Sequence, residues 1–231
     1  MAWAVLVFTG AWTLLRFGND LAIALESRSP SLSIGTPAAG RLEHGKRLPS
    51  RGSNFRAYSD LGTLLGRNAV HDKVRDSVLA AYAHLARSRP QDRHVYGESG
   101  WPGGGPFRPH RTHQNGMAVD FFVPVRDAAG RPAFFPASPF NRFGYGVEFD
   151  AAGGWNAWRI DFEALAAHLE ALAAASAAHG LRIEVVIFDL PLLQRLQASA
   201  ARRERLRGVR FSRTRPWVRH DEHYHVVFAL R

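Results

Sequence analysis

The chain has 231 residues, 46% of them hydrophobic, with six Trp and 15 Phe, which is enough apolar material for one sizeable core and argues against disorder. It contains no cysteine, which excludes disulfides, thiolate metal ligands and a cysteine nucleophile. The formal charge of +10, from 30 Lys and Arg against 20 Asp and Glu, suits a solvated basic surface or a polyanionic partner. It does not choose among nucleic acid, membrane headgroups and acidic polymers or peptides.

Met1 to Leu15 carry no charged side chain, a run shorter than the roughly 20 apolar residues of a membrane span, so residues 1–26 are expected to be an export signal or a membrane anchor. Residues 27–47 are rich in Ser, Pro and Gly and read as a linker, which places the domain proper at 48–231. Val74, Val78, Leu79, Tyr82 and Leu85 fall at helical spacing and Pro90 stops the pattern. Lys73, Arg75 and Asp76 fall on its solvated side. Arg93 to Tyr96 reads as a short strand, 97–109 as a Gly/Pro-rich loop, and Met117 to Val125 as a buried strand ending near Pro124. A second helix spans Phe162 to His179, with Phe162, Leu165, Leu169 and Leu172 on one stripe and Gly180 as its cap. Ile183 to Phe188 is a strand, Pro191 opens a third helix with Leu192, Leu193 and Leu196, and Tyr224 to Leu230 is the last strand. The order predicts an α+β single domain with a mostly antiparallel central sheet flanked by helices.

The 11 histidines are unevenly placed, and two clusters stand out: His110 with His113, and His220 with His223 and His225. Asp120 follows His113 by seven residues, with Gly116 between them where the backbone must turn. His223 and His225 are two apart, so on an extended strand both imidazoles emerge on one face. His113, Asp120 and His225 would supply two neutral nitrogens and one carboxylate. That leaves a fourth tetrahedral position open, as in a catalytic rather than a structural zinc site, and suits zinc better than magnesium or calcium. His71, His84, His94, His168 and His179 stand alone and are expected at the surface.

His110-Arg-Thr-His113-Gln-Asn-Gly-Met-Ala-Val-Asp120 with His220-Asp-Glu-His223-Tyr-His225 resembles the penicillin-insensitive murein endopeptidases, zinc peptidases of the lysostaphin, D-Ala-D-Ala metallopeptidase and hedgehog fold group. Leu48-Pro49-Ser50, Phe55 to Ser59, the Tyr96-Gly97-Glu98-Ser99-Gly100 turn and Ile187-Phe188-Asp189 carry the likeness over residues 45–231. The resemblance implies one Zn2+ per chain on His113, Asp120 and His225, with His223 beside the metal without ligating it. It makes His110 and His220 further active-site histidines. Members of that family often contain cysteine pairs, which this chain lacks, and Glu222 stands where an Asp is more familiar.

The implied activity is hydrolysis of D-alanyl cross-links between peptidoglycan stem peptides, in the periplasm or cell envelope. A metal-dependent site offers β-lactams no serine to acylate. Glu222 competes with His223 as general base, but its offset from His225 points it to the other face of a regular strand, so His223 is favoured. Arg108, Arg111 and Arg219 are candidates to pair substrate carboxylates. The arginines from Arg202 to Arg215 read as a solvated face or a contact for acidic wall polymers. A D,D-carboxypeptidase and a non-catalytic zinc-containing wall-binding module are the alternatives. A nucleic-acid partner, which the arginine excess alone would suggest, is not expected.

Overall fold

Strands β1 (Phe55–Ala57), β2 (His94–Tyr96), β3 (Ala118–Phe122), β4 (Leu181–Ile187) and β5 (His223–Leu230) form a five-stranded sheet in the order β4-β5-β3-β2-β1. The computed structural model describes residues 2–214 and 218–231, with side chains from residue 9 onward. Only the β1–β2 edge pair is parallel; the other three pairs are antiparallel, so the chain is α+β with a mostly antiparallel central sheet. The register places His223 opposite Phe122 and His225 opposite Asp120. Directly opposed residues share a face, so Asp120, Phe122, His223 and His225 look one way and Phe121 and Tyr224 the other.

The helices are α1 (Ala2–Ala24), α2 (Asp60–Leu64), α3 (Asp72–Ser88), α4 (Phe162–Ala178), α5 (Leu190–Leu196) and α6 (Ala200–Arg205). Helices α3 and α4 pack on each other, and α4 lies against the sheet face that carries Phe121 and Tyr224. Val74, Val78 and Leu85 from α3, with Leu165, Leu169 and Leu172 from α4, are essentially inaccessible and make the core between the layers. Each helix ends as its sequence dictates: Asp161 caps α4 by accepting from Ala164 N, and Gly180 follows it at φ +72°. Asp189 caps α5 at Leu192 N. Gly154–Trp155, Trp158–Ile160, Val125–Arg126 and Pro132–Ala133 build a second, four-stranded sheet beside the first.

Three expectations need correction: the 27–47 linker, a purely solvated Arg75, and the surface placement of the lone histidines. Residues 27–47 are not a tether: Leu32–Thr36 and Ala39–Glu43 pair as a hairpin, Lys46–Arg47 pairs with Ala69–Val70, and Leu42 is buried against Gly116. The helix within residues 1–26 is built into the fold at its C-terminal end. Buried Asn19 donates to Leu48 O at 3.0 Å and accepts from Asn68, while Glu26 accepts from Arg47 N and pairs with Arg75. Arg75 is therefore not a purely solvated charge. No helix of the described residues is long and apolar enough to cross a membrane. Thirdly, His71, His94 and His168 are buried rather than at the surface; His71 caps α3 through Lys73 N, and His94 and His168 stack 5.2 Å apart beneath the sheet. His84 is exposed and His179 half-buried.

The arginines from Arg202 onward are largely spent within the chain. Arg202 and Arg205 pair with Glu163, Arg205 also with Glu170, Arg207 with Glu204, and Arg210 with Glu184. Arg215 lies outside the described residues.

Candidate metal centre

The face of the sheet opposite the helices carries the ionisable groups, and three elements bring them together. β3 presents Asp120, β5 presents His223 and His225, and the loop before β3 presents His110 and His113. That loop must fold back sharply. His113 adopts a left-handed φ of +72° and Gly116 one of +73°, and a Cβ at Gly116 would come within 2.8 Å of His71 N, so only glycine closes the turn.

His113 is completely buried, and its Nδ1 lies 3.2 Å from Ser99 O and 3.3 Å from Ala118 O. Carbonyl oxygens only accept, so Nδ1 carries a hydrogen, and in the neutral tautomer that a metal ligand requires Nε2 aims its lone pair inward. Nε2 has no hydrogen-bond partner and stands 3.3 Å from Asp120 Oδ1. A lone pair facing a carboxylate oxygen calls for a cation between them. Two ligands of one tetrahedral zinc are about 3.3 Å apart at ordinary bond lengths. His225 Nδ1 meets the same Asp120 Oδ1 at 2.7 Å, and the His113 and His225 rings are 4.7 Å apart. His110, His113 and Asp120 each bring one ligand atom within 4.8 Å of the others, a group that could hold a metal ion. The donor set of imidazoles and a carboxylate fits a divalent transition metal.

No protein-family model and no curated protein matches the chain.

Electrostatics agree with a cation site. Burial opposes ionisation of Asp120, but the His113 and His223 rings beside it, with the hydrogen bond from His225, hold the carboxyl well below the usual carboxylate range. Burial pushes His225 down to about 4, which leaves the neutral ring that metal coordination requires. His223 behaves oppositely: burial disfavours its charge, yet the Glu222 and Asp120 carboxylates outweigh burial and push it up to about 9. Its Nδ1 is 2.9 Å from Glu222 Oε1 and its Nε2 faces Asp120 Oδ2 at 3.7 Å. Glu222 lies just before β5 starts, so strand alternation does not govern it. Its carboxylate reaches His223 and does not line the cleft.

Asp120, His223 and His225 line a cleft of about 590 Å³, together with His110, His220, Tyr58, Leu61, Leu65 and Ile187. His220 is a wall residue, its ring 4.6 Å from that of His223, its Nδ1 turned to Val218 O. Of the three arginines expected to meet substrate, Arg111 lines the cleft. Arg108 does not, and Arg219 is taken up by Asp189, Asp221 and the Phe149 carbonyl.

Sequence reading missed the groups that hold Asp120 and His110 in place. The Tyr145 hydroxyl donates to Asp120 Oδ2 at 3.0 Å and accepts from Glu98 N at 2.8 Å. Glu98 accepts from Arg67 and from Tyr58 Oη, and its Oε2 is 2.5 Å from His110 Nε2. Burial opposes the Glu98 charge, but His110 and Arg67 hold its carboxyl at about 2. Tyr145, bracketed by Gly144 and Gly146, has no spacing signal that ties it to Asp120. Tyr145→Phe keeps the ring but removes the hydroxyl that turns Asp120 Oδ1 towards His113 and His225. The expected result is a metal affinity roughly 10- to 100-fold lower, read by competition with a chromogenic chelator, with an unchanged far-UV spectrum.

Proposed function

We propose that the protein is a zinc-dependent endopeptidase of the penicillin-insensitive murein endopeptidase kind, acting on D-alanyl cross-links of peptidoglycan in the cell envelope. One observation carries the reading. A buried His113 Nε2, unpartnered among the described residues, and the His225 Nδ1 converge on a single Asp120 oxygen, and Asp120, His223 and His225 line the cleft. His113, Asp120 and His225 would hold the ion. Zinc there supplies Lewis acidity towards a peptide carbonyl and acidifies water towards a pKa of about 7.

The rest is done by the chain itself. Tyr145 and the Ser99 and Ala118 carbonyls fix the orientation of Asp120 and His113. His223, backed by Glu222, holds a proton on the cleft side and can stabilise an oxyanion or protonate the leaving amine. Glu222 acts through His223, as the partner of its Nδ1.

The test is digestion of purified cross-linked muropeptides. The expected result is conversion of dimers to monomers, abolished by chelation and restored by one equivalent of zinc. A zinc-loaded protein that leaves the cross-link intact would overturn the reading. That outcome would favour the second one, a non-catalytic zinc-containing module, which a specific contact supports. With its Nε2 on Glu98, His110 turns Nδ1 towards Asp120 Oδ2 at 3.9 Å, close to the position of a fourth protein ligand that closes the site.

A further inference from the structure

The turn before Tyr145 is strained in a way that its packing only half explains. Arg142 (φ 53°, ψ 42°) and Phe143 (φ 56°, ψ 35°) are consecutive non-glycine residues in the left-handed region, followed by Gly144 at φ 103°. Such a backbone costs an L-residue on the order of 1 kcal/mol and persists only where the surroundings impose it. Asn141 imposes it here. Its side-chain oxygen accepts from Ser138 N and Gly144 N, its Nδ2 donates to Pro136 O, and Phe143 N donates to Ser138 O at 2.7 Å. Phe143 is rewarded, because its ring packs edge-on against Tyr58 at 6.3 Å.

Arg142 is not rewarded within the chain. Its side chain is exposed, lines the cleft, and makes no ion pair or side-chain hydrogen bond among the described residues. The neighbouring cleft cation Arg67, by contrast, is neutralised by Glu98. A glycine at position 142 would relieve the strain and lose no ion pair or hydrogen bond among the described residues, yet the strained turn displays a guanidinium at the mouth of the site.

We propose that Arg142 is a specificity-determining residue that pairs a carboxylate of an acidic peptide lying in the cleft. The inference rests on the peptidase reading for its substrate class, but its own test does not need turnover. Guanidinium matches carboxylate in a two-pronged hydrogen bond, whereas the apolar walls at Leu61 and Leu65 carry no charge that distinguishes substrates. The tight turn fixes the backbone from which the arginine projects, so no main-chain freedom is lost there when the carboxylate arrives.

The experiment uses two probes, a fluorescently labelled cross-linked muropeptide with free carboxylates and the same peptide with those carboxylates amidated. Binding to the full-length protein is measured by anisotropy, with zinc and with chelator. The wild type is expected to prefer the acidic peptide by roughly tenfold in Kd, in both conditions. R142A and R142G should bring that ratio towards one, and R142K should keep part of it. R142G should in addition melt no lower than the wild type, because it relaxes the turn. In turnover, the loss should appear in KM for the acidic peptide and not in kcat. An unchanged Kd ratio in a folded R142A or R142G protein would overturn the assignment. A wild type that shows an Arg142-dependent preference yet cleaves neither peptide would keep the assignment and sink the peptidase reading.

Discussion

Asp120→Ala is expected to abolish stoichiometric metal binding and to lower muropeptide hydrolysis by a factor on the order of 10³ or more. That corresponds to about 4 kcal/mol of lost transition-state stabilisation. The size follows from the position of this carboxylate at the meeting point of every other group. His113 Nε2 and His225 Nδ1 both converge on Oδ1, and Tyr145 and His223 approach Oδ2. Deleting it removes the carboxylate that His113, His223 and His225 share, and a divalent cation no longer gains that charge compensation. Asp120→Asn keeps the shape and one oxygen but drops the charge, so its metal affinity should fall between those of the wild type and Asp120→Ala. His220→Ala is the useful contrast, because His220 belongs to the cleft wall and not to the ligand group; it should retain one equivalent of metal. Elemental analysis of chelator-washed, zinc-reloaded proteins decides the matter. An Asp120→Ala protein that still holds one tight zinc would show that the ion sits elsewhere.

Much of this site was legible because strand alternation is rigid and a glycine marks the one sharp turn it needs. The two-residue spacing of His223 and His225 guarantees that they share a face of any strand, and the turn marked by Gly116 is what lets His113 come back onto Asp120. What alternation cannot provide is register. That His225 lies opposite Asp120 is decided by how β5 pairs with β3, through contacts 105 residues apart in the chain. The same limit explains Glu222: periodicity assigned it to the opposite face, but the strand begins one residue later, at His223. Tyr145 and Arg142 lay beyond sequence reading because their positions depend on the Asn141-braced turn, which has no regular repeat.

The hairpin at Leu32–Glu43 was hidden for a related reason. Its Ser, Gly and Pro content matches a linker, and its order comes from distant partners, including a hydrogen bond from Gln114 N to Pro37 O and the seat of Leu42 against Gly116. His168 was hidden only by habit. It lies three residues after Leu165, one before Leu169 and four before Leu172, squarely within the apolar stripe of α4, and that position marked it as buried.

Those buried histidines set the largest pH effect expected on stability. His94 and His168 stack together under the sheet, the Nε2 atoms of both have no partner, and the Tyr82 hydroxyl beside them has none either; Tyr224 Oη alone meets His168 Nδ1, at 2.7 Å. Burial, with Arg89 and Arg93 adding to it, pushes His94 down to about 3. Burial, then His94, holds His168 well below its ordinary value. Both therefore stay neutral in the folded protein at a pH where the unfolded chain, with histidine near 6.5, takes up two protons. The unfolded state binds more protons, so stability is full above about pH 6.5 and falls as pH drops below it. Each histidine contributes a slope approaching 1.4 kcal/mol per pH unit. Between pH 6.5 and 4.5 the loss integrates to about 2 kcal/mol per histidine, a large part of the roughly 5–15 kcal/mol that holds a domain folded. Asp221, whose carboxyl burial and Glu222 push up to about 6, takes up a proton in the folded protein within this window and offsets part of the loss, whereas carboxylates with folded values at or below about 4 contribute little there. His71, His220 and His225 shift in the same direction, so the decisive measurement is differential. His94→Phe preserves the stacked ring, removes one titrating group and one unpartnered nitrogen, and should reduce the acid-induced loss by about 2 kcal/mol in urea titrations at the two pH values. If His94→Phe loses as much stability on acidification as the wild type, the buried pair is not what limits the fold in acid.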